Sequence, residues 1–276
     1  YPWPSSFSEY TLSSLKALFL STSLSETQND AFKSVSRYFD RITRPEQILS
    51  SLPQAIQVML DTADCGPATL SMSQDVQGEV YDYPEVFFEE KIHTIRKIYP
   101  DPDQVKIAAE KIKKSKQPII ISGGGVLYAE AEKELSNFAK KHNIPVTSTV
   151  MGIGCMTHDD PYYISAIGCL GEGSSNSLSK DTDLALAVGT KLADFTTGSW
   201  TNFQNPDFSL VSINTSRFDT TKHRATPLVS DAKIGLLKLS EALGDWKAPS
   251  KWYERAVEER NKWDVYVQKE SGPTNQ

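Results

Sequence analysis

The chain has 276 residues, of which 39% are apolar and 23% charged, and its formal net charge is -6. That length suits one large domain or two of ordinary size. The acidic balance argues against a broad basic face for nucleic acid, and no apolar run approaches a membrane span, so neither partner is expected.

Residues 1–30 show no clear period. Ser and Thr fill much of the segment, Pro2 and Pro4 bracket Trp3, and LKALFL is too short for a signal peptide. The segment reads as unmatched and poorly ordered. The first helix start is TRPEQILSSLPQAIQVML, where Thr43 and Glu46 have capping-box spacing. Pro53 is expected to divide it into two short helices with Ile56, Met59 and Leu60 inward. Gly66-Pro67 marks a turn and Ala68–Met72 alternates like a strand. Residues 79–100 are aromatic and charged without a period, and read as a linker at a domain boundary.

Asp101 then offers a cap, Pro102 takes the first helical position, and Gln104 is placed to complete the box. Val105, Ala108, Ala109 and Ile112 recur at helical spacing. Lys111, Lys113, Lys114 and Lys116 read as a solvated helix end, where the dipole favours cations. Strands follow at Pro118–Ser122, Ile144–Thr149, Leu184–Val188 and Phe208–Asn214, with a fifth short one in TPLVSD. Between and after them lie a helix over Leu127–His142 and one capped by Asp231. Short, continuous apolar strands alternating with helices predict an α/β fold, a doubly wound parallel sheet over 101–245.

Gly123-Gly124-Gly125 sits between a strand and a helix. It has neither the GxGxxG of a dinucleotide fold nor a P-loop. Backbone N–H groups at such a turn can hold a phosphate, and glycine also permits close helix–strand packing. The loops MGIGC (151–155), GCLGEGSSN (168–176) and GTKLADFTTGSW (189–200) share that ambiguity. Gly123, Gly124, Gly125, Gly171 and Gly189 are therefore the candidate cofactor-binding positions, at the sheet edge where α/β proteins bind ligands. An acidic ribose ligand is missing at Rossmann spacing. His93, His142, His158 and His223 are scattered without metal-ligand spacing, Ser73 and Ser122 lie in no GxSxG, and no catalytic or metal-binding residue stands out. Cys65, Cys155 and Cys169 form no CxxC, which suits a reducing, cytoplasmic setting.

Taken together, GPATLSMSQDV, QPIIISGGGVLYAEAEKELSNFAKKHNIPVTSTVMGIG, DDPYYISAIGCLGEGSSNSLSKDTDLALAVGTKLADFTTGSW, VSINTSRFD and PLVSDAKIGLLKL resemble the thiamine-diphosphate enzymes, in order, over about residues 29–245. The first looks like the end of their pyrimidine-binding domain, with Ser73 where proline is usual. The others look like their Rossmann-like central domain. AFKSVSRYFDRITRPEQ, SQDVQGEVYDYPEVFF and DFTTGSW are most similar to the myo-inositol-catabolism branch.

The resemblance implies residues 31–78 as the C-terminal part of a pyrimidine-binding domain, 101–245 as a central domain, and 246–276 as a linker towards a diphosphate-binding domain. It implies thiamine diphosphate and Mg²⁺ in a complete, homo-oligomeric enzyme that cleaves a cyclic dione at a carbon–carbon bond with water. The activating glutamate and the Gly-Asp-Gly…Asn metal motif of that family have no match, since Gly244-Asp245-Trp246 departs from it. This chain is accordingly expected to be an inactive fragment that binds no cofactor tightly, with the glycine turn structural. Two alternatives stay open: a module that binds FAD or ADP at the glycine loops, and a non-catalytic partner subunit of a thiamine-diphosphate enzyme.

Overall fold

The computed structural model describes residues 28–272. It divides into two compact units, Tyr1–Arg96 and Lys97–Gln276. The expectation for residues 1–30 lies outside the described residues, apart from Gln28–Asp30, which begin a 3₁₀ helix, Gln28–Val35.

The first unit holds β1 (Tyr38–Ile42), α1 (Ile48–Leu60) and β2 (Ala68–Met72). β1 and β2 pair in parallel, with Tyr38 opposite Ala68 and Ile42 opposite Met72. Such a pair needs a crossover, and α1 supplies it. Two local expectations are corrected here. A 3₁₀ turn, Pro45–Gln47, precedes α1 and shifts the cap by one residue. Gln47 rather than Glu46 reaches back, its Oε1 accepting from Thr43 N at 2.6 Å and Arg44 N at 2.9 Å. Pro53 does not break α1; it lies on the exposed side, where the carbonyl left without its partner is open to solvent. The buried positions are Ser51 and Ala55, while Met59 is half exposed.

The second unit starts with α2 (Pro102–Lys114). Asp101 caps it, its Oδ1 accepting from Asp103 N at 2.8 Å. Gln104 takes no part in that cap. Its Oε1 instead accepts from Val229 N at 3.0 Å and ties α2 to the edge of the sheet. Then come β3 (Pro118–Ser122), α3 (Gly124–Tyr128), α4 (Glu132–His142), β4 (Val146–Ser148), β5 (Tyr163–Ala166), α5 (Gly173–Asp181), β6 (Leu184–Val188), β7 (Ser209–Asn214), β8 (Thr226–Val229), α6 (Ala232–Leu243) and α7 (Ser250–Ser271). The helix expected over Leu127–His142 is two helices. Glu130 turns left-handed at φ 52°, and Ala131 N donates to Val126 O to close the first. Asp231 caps α6 as expected, accepting from Lys233 N and Ile234 N.

The six strands lie parallel in the order β5-β4-β3-β6-β7-β8. The chain winds one way from β3 and then returns to wind the other way from β6, which makes the sheet doubly wound. Side chains alternate across it. Ile120, Leu184, Leu186 and Val211 pack on one face with α2, α4 and α6 through Ile112, Leu135 and Leu239. Ile119, Ile121, Ala185 and Ala187 pack on the other with Leu178 of α5 and Trp252 and Ala256 of α7. With both faces covered, β3 and β6 are buried at every residue. Among the described residues no helix is long and apolar enough to cross a membrane.

Candidate functional site

The glycine loops gather at the carboxyl edge of the sheet. The switch point lies between β3 and β6, so the loops after these two strands decide whether a ligand crevice opens there. They meet backbone to backbone. Gly123 N donates to Val188 O and Gly125 N to Gly189 O, each at 2.9 Å. A Cβ on Gly125 would lie 2.6 Å from Gly189 Cα, and one on Gly123 would lie 2.5 Å from Gly189 O. Gly189 itself has φ +61°, which favours glycine. Two N–H groups of the turn are thus spent within the protein, and the space a side chain would take is filled by chain.

Gly124 faces the loop after β4, where its Cβ would stand 3.1 Å from Met151 O. Gly171 is not brought against the other four. Its N–H bonds Gly168 O at 2.9 Å, and its nearest neighbours are Ala166 at the end of β5 and Ile167 and Gly168 of its own loop. That loop follows β5, a strand the sequence pattern missed because its Tyr-Ile-Ser-Ala stretch is short. It is pinned by Asn176, whose side chain accepts from Gly168 N and donates to Gly168 O, both at 2.9 Å. Cys169 N reaches Phe195 O at 2.7 Å and joins it to the loop after β6.

The loop after β6 is tightly wound. Leu192, Ser199, Trp200 and Phe203 all have positive φ, between 46° and 62°. Non-glycine residues hold this conformation only where their surroundings enforce it. Trp200 stacks edge-on against His223 with ring centres 4.5 Å apart, and Phe203 is buried. The outer rim of the edge is apolar and exposed: Val150, Met151, Ile153, Leu170, Phe195 and Phe218.

Several titratable groups lie near these loops. Cys155 is buried with Sγ 3.4 Å from Gly123 O, and burial pushes its thiol up to about 11. Burial also raises the Glu172 carboxyl, with Asp264 adding to the effect and His158 opposing it. Asp160 anchors a turn. It accepts from Ser136 Oγ at 2.8 Å and Tyr162 N at 3.0 Å, and pairs with Lys140 at 3.1 Å. Burial opposes these bonds, yet they hold its carboxyl below the ordinary range. Arg260 of α7 donates to the carbonyls of His158, Asp160 and Tyr163. Among the described residues no group of three or more His, Cys, Asp or Glu is placed to hold a metal ion.

Residues 105–239 match the family described as thiamine pyrophosphate enzyme, central domain. Over 241 residues the chain is 41% identical to a 3D-(3,5/4)-trihydroxycyclohexane-1,2-dione hydrolase of Clostridium tetani, covering 87% of this chain and 37% of that protein. Over 242 residues it is 38% identical to proteins of the same name in Bacillus cereus and Bacillus anthracis, covering 88% of this chain and 38% of theirs. The chain therefore spans less than two fifths of the length of these relatives.

Proposed function

From a chain whose residues 105–239 match the thiamine pyrophosphate enzyme central domain, we propose that it serves within a thiamine-diphosphate-dependent hydrolase that opens a cyclic 1,2-dione at a carbon–carbon bond. The observation that carries this reading is the likeness, 41% identity over 241 residues, to a protein named for that hydrolysis. Residues 31–78 are the end of a pyrimidine-binding domain in this proposal, and the parallel β1–α1–β2 unit supports it. Residues 101–245 are the central domain, and 246–276 lead onward from it.

In this proposal the groups that hold the diphosphate and its Mg²⁺, an ion that takes one or two carboxylates together with phosphate oxygens, are supplied from outside residues 28–272; among the described residues no group of three or more His, Cys, Asp or Glu is placed to hold a metal ion. No reaction step is assigned to this chain's own side chains. Its role is to scaffold, and the glycine turn is part of the scaffold, a reading supported by the contacts of Gly123 and Gly125 with Gly189.

The assembly is homo-oligomeric and cytoplasmic in this proposal. The exposed apolar rim at the carboxyl edge supports the first point, because such patches mark surfaces that become covered. Three free cysteines support the second. Two experiments test the whole. Deleting the gene for this chain should block growth on myo-inositol and make the cyclic dione accumulate; unimpaired growth overturns the activity. The purified chain with thiamine diphosphate, Mg²⁺ and the dione should show no ring opening, and turnover would overturn the scaffold role. A bound flavin, visible as yellow colour, would favour the nucleotide-binding module instead.

A further inference from the structure

A cleft of the second unit lies at the opposite edge of the sheet from the glycine loops. It has a volume of about 760 Å³ and is bounded by Gln117, Asp183 and Ser209, at the starts of β3, β6 and β7. That volume falls within the ordinary range of small-molecule pockets, roughly 300–1,000 Å³. Five of its 13 lining residues are Lys or Arg, against 29 in the 276 residues of the chain. They come from separate segments. Lys111 and Lys114 stand on the last turns of α2, Lys116 on the turn into β3, and Lys251 and Arg255 on the first turns of α7.

Among the described residues, four of the five charges have no carboxylate paired with them. Arg255 is paired with Asp181. Asp183 is already committed, accepting from the Ser115 hydroxyl, from Lys116 N at 2.7 Å and from Gln117 N at 3.0 Å. Lys111 donates to the neutral Thr226 hydroxyl at 2.9 Å. Lys114, Lys116 and Lys251 have no carboxylate partner among the described residues. Four lysines therefore face two aspartates, Asp183 and Asp207, in a chain that is acidic as a whole. Pro249 and the buried Trp252 back the cleft with apolar surface.

We propose that this cleft binds a small polyphosphate-bearing anion, such as a di- or triphosphate ester. Lysine ammoniums on flexible stems act as point charges that suit tetrahedral phosphates, whereas planar carboxylates are better matched by arginine forks. Several lysines spread over separate segments match two or more linked phosphates rather than one.

The test is calorimetric titration of the chain with tripolyphosphate at physiological salt, where diffuse surface attraction is screened. The expected result is saturable one-to-one binding that weakens at least tenfold in the combined variant Lys114→Gln, Lys116→Gln, Lys251→Gln. A second combined variant, Lys106→Gln, Lys133→Gln, Lys269→Gln, removes the same charge from exposed sites elsewhere and should bind as the parent does. All six lysines are exposed, so folding is not at stake. No binding by the parent chain, or equal loss in both variants, overturns the proposal. Citrate binding as tightly as tripolyphosphate overturns the phosphate assignment.

Discussion

Replacing Gly125 with alanine separates a packing role for the glycine turn from a ligand-binding one. Gly125 has ordinary negative φ, so alanine adds no backbone strain there. The cost is steric. The new methyl would stand 2.6 Å from Gly189 Cα and 3.0 Å from Gly189 O, well inside van der Waals contact, against backbone that has no rotamer to change. Overpacking of this kind costs about 1–3 kcal/mol. Separating the loops also weakens the 2.9 Å bond from Gly125 N to Gly189 O, worth about 1 kcal/mol. Alanine in a helical turn returns up to about 1 kcal/mol. The net loss is then about 1–3 kcal/mol, a fall in melting temperature of roughly 2–4 °C per kcal/mol for a unit of this size.

Gly124→Ala is the paired control, since its methyl would meet Met151 O at 3.1 Å and needs only a slight shift. It should be neutral. Gly189→Ala adds the left-handed cost of about 1–2 kcal/mol to the same clash and should be the most damaging. Urea unfolding of the three variants without any ligand measures this order. If Gly125→Ala lies within about 0.5 kcal/mol of the parent, the range of a neutral surface change, the turn is not held by packing and the scaffold reading of the loops fails. The same follows if Gly124→Ala is equally harmful.

Trp252 donates its indole N–H to Pro118 O at 2.8 Å and is buried between α7 and β3. Trp252→Phe should cost about 1–3 kcal/mol by orphaning that carbonyl, and Trp252→Ala about 3–5 kcal/mol; stability of the alanine variant equal to the parent's would mean that α7 is not docked there. His142 is fully buried, with Nδ1 2.8 Å from Trp246 O and Nε2 3.0 Å from Ser240 Oγ. The carbonyl can only accept, so Nδ1 carries the proton. Burial lowers its pKa below the ordinary 6.5. The unfolded chain therefore binds the extra proton first, and stability should fall as pH drops below that ordinary value. His142→Gln should flatten that slope in urea titrations at several pH values; an unchanged slope would refute the assignment. Cys65 and Cys169 are exposed, whereas Cys155 is buried with its thiol raised to about 11. A chromogenic disulfide reagent at mild alkaline pH should titrate two thiols quickly and the third only on unfolding. Three fast thiols would contradict the burial of Cys155.

Much of the architecture was legible in the order of residues. β2 has the bounds its alternation predicts and β6 those of its apolar run, and the buried stripe of α2 is Val105, Ala108, Ala109 and Ile112, as its spacing requires. Asp101 and Asp231 cap the helices they precede. These features are local: a period, a cap or a proline acts within one or two turns of chain. The same holds for family likeness, which rests on runs such as PIIISGGGVLYAEAE and needs no coordinates.

What tertiary structure decided involves partners far apart in sequence. Gln104 was legible as a cap residue, yet its amide oxygen serves Val229, 125 positions away. Gly125 reads in sequence as either a phosphate cradle or a structural turn, and only the fold sets Gly189 against it. The lysine run at the end of α2 read as a solvated terminus. Only the fold sets Lys114 and Lys116 across a cleft from Lys251, because the sheet brings the starts of β3, β6 and β7 together and α7 returns beside them. Periodicity records which face of an element is buried, but it carries no record of which distant segment will cover that face or share its charge.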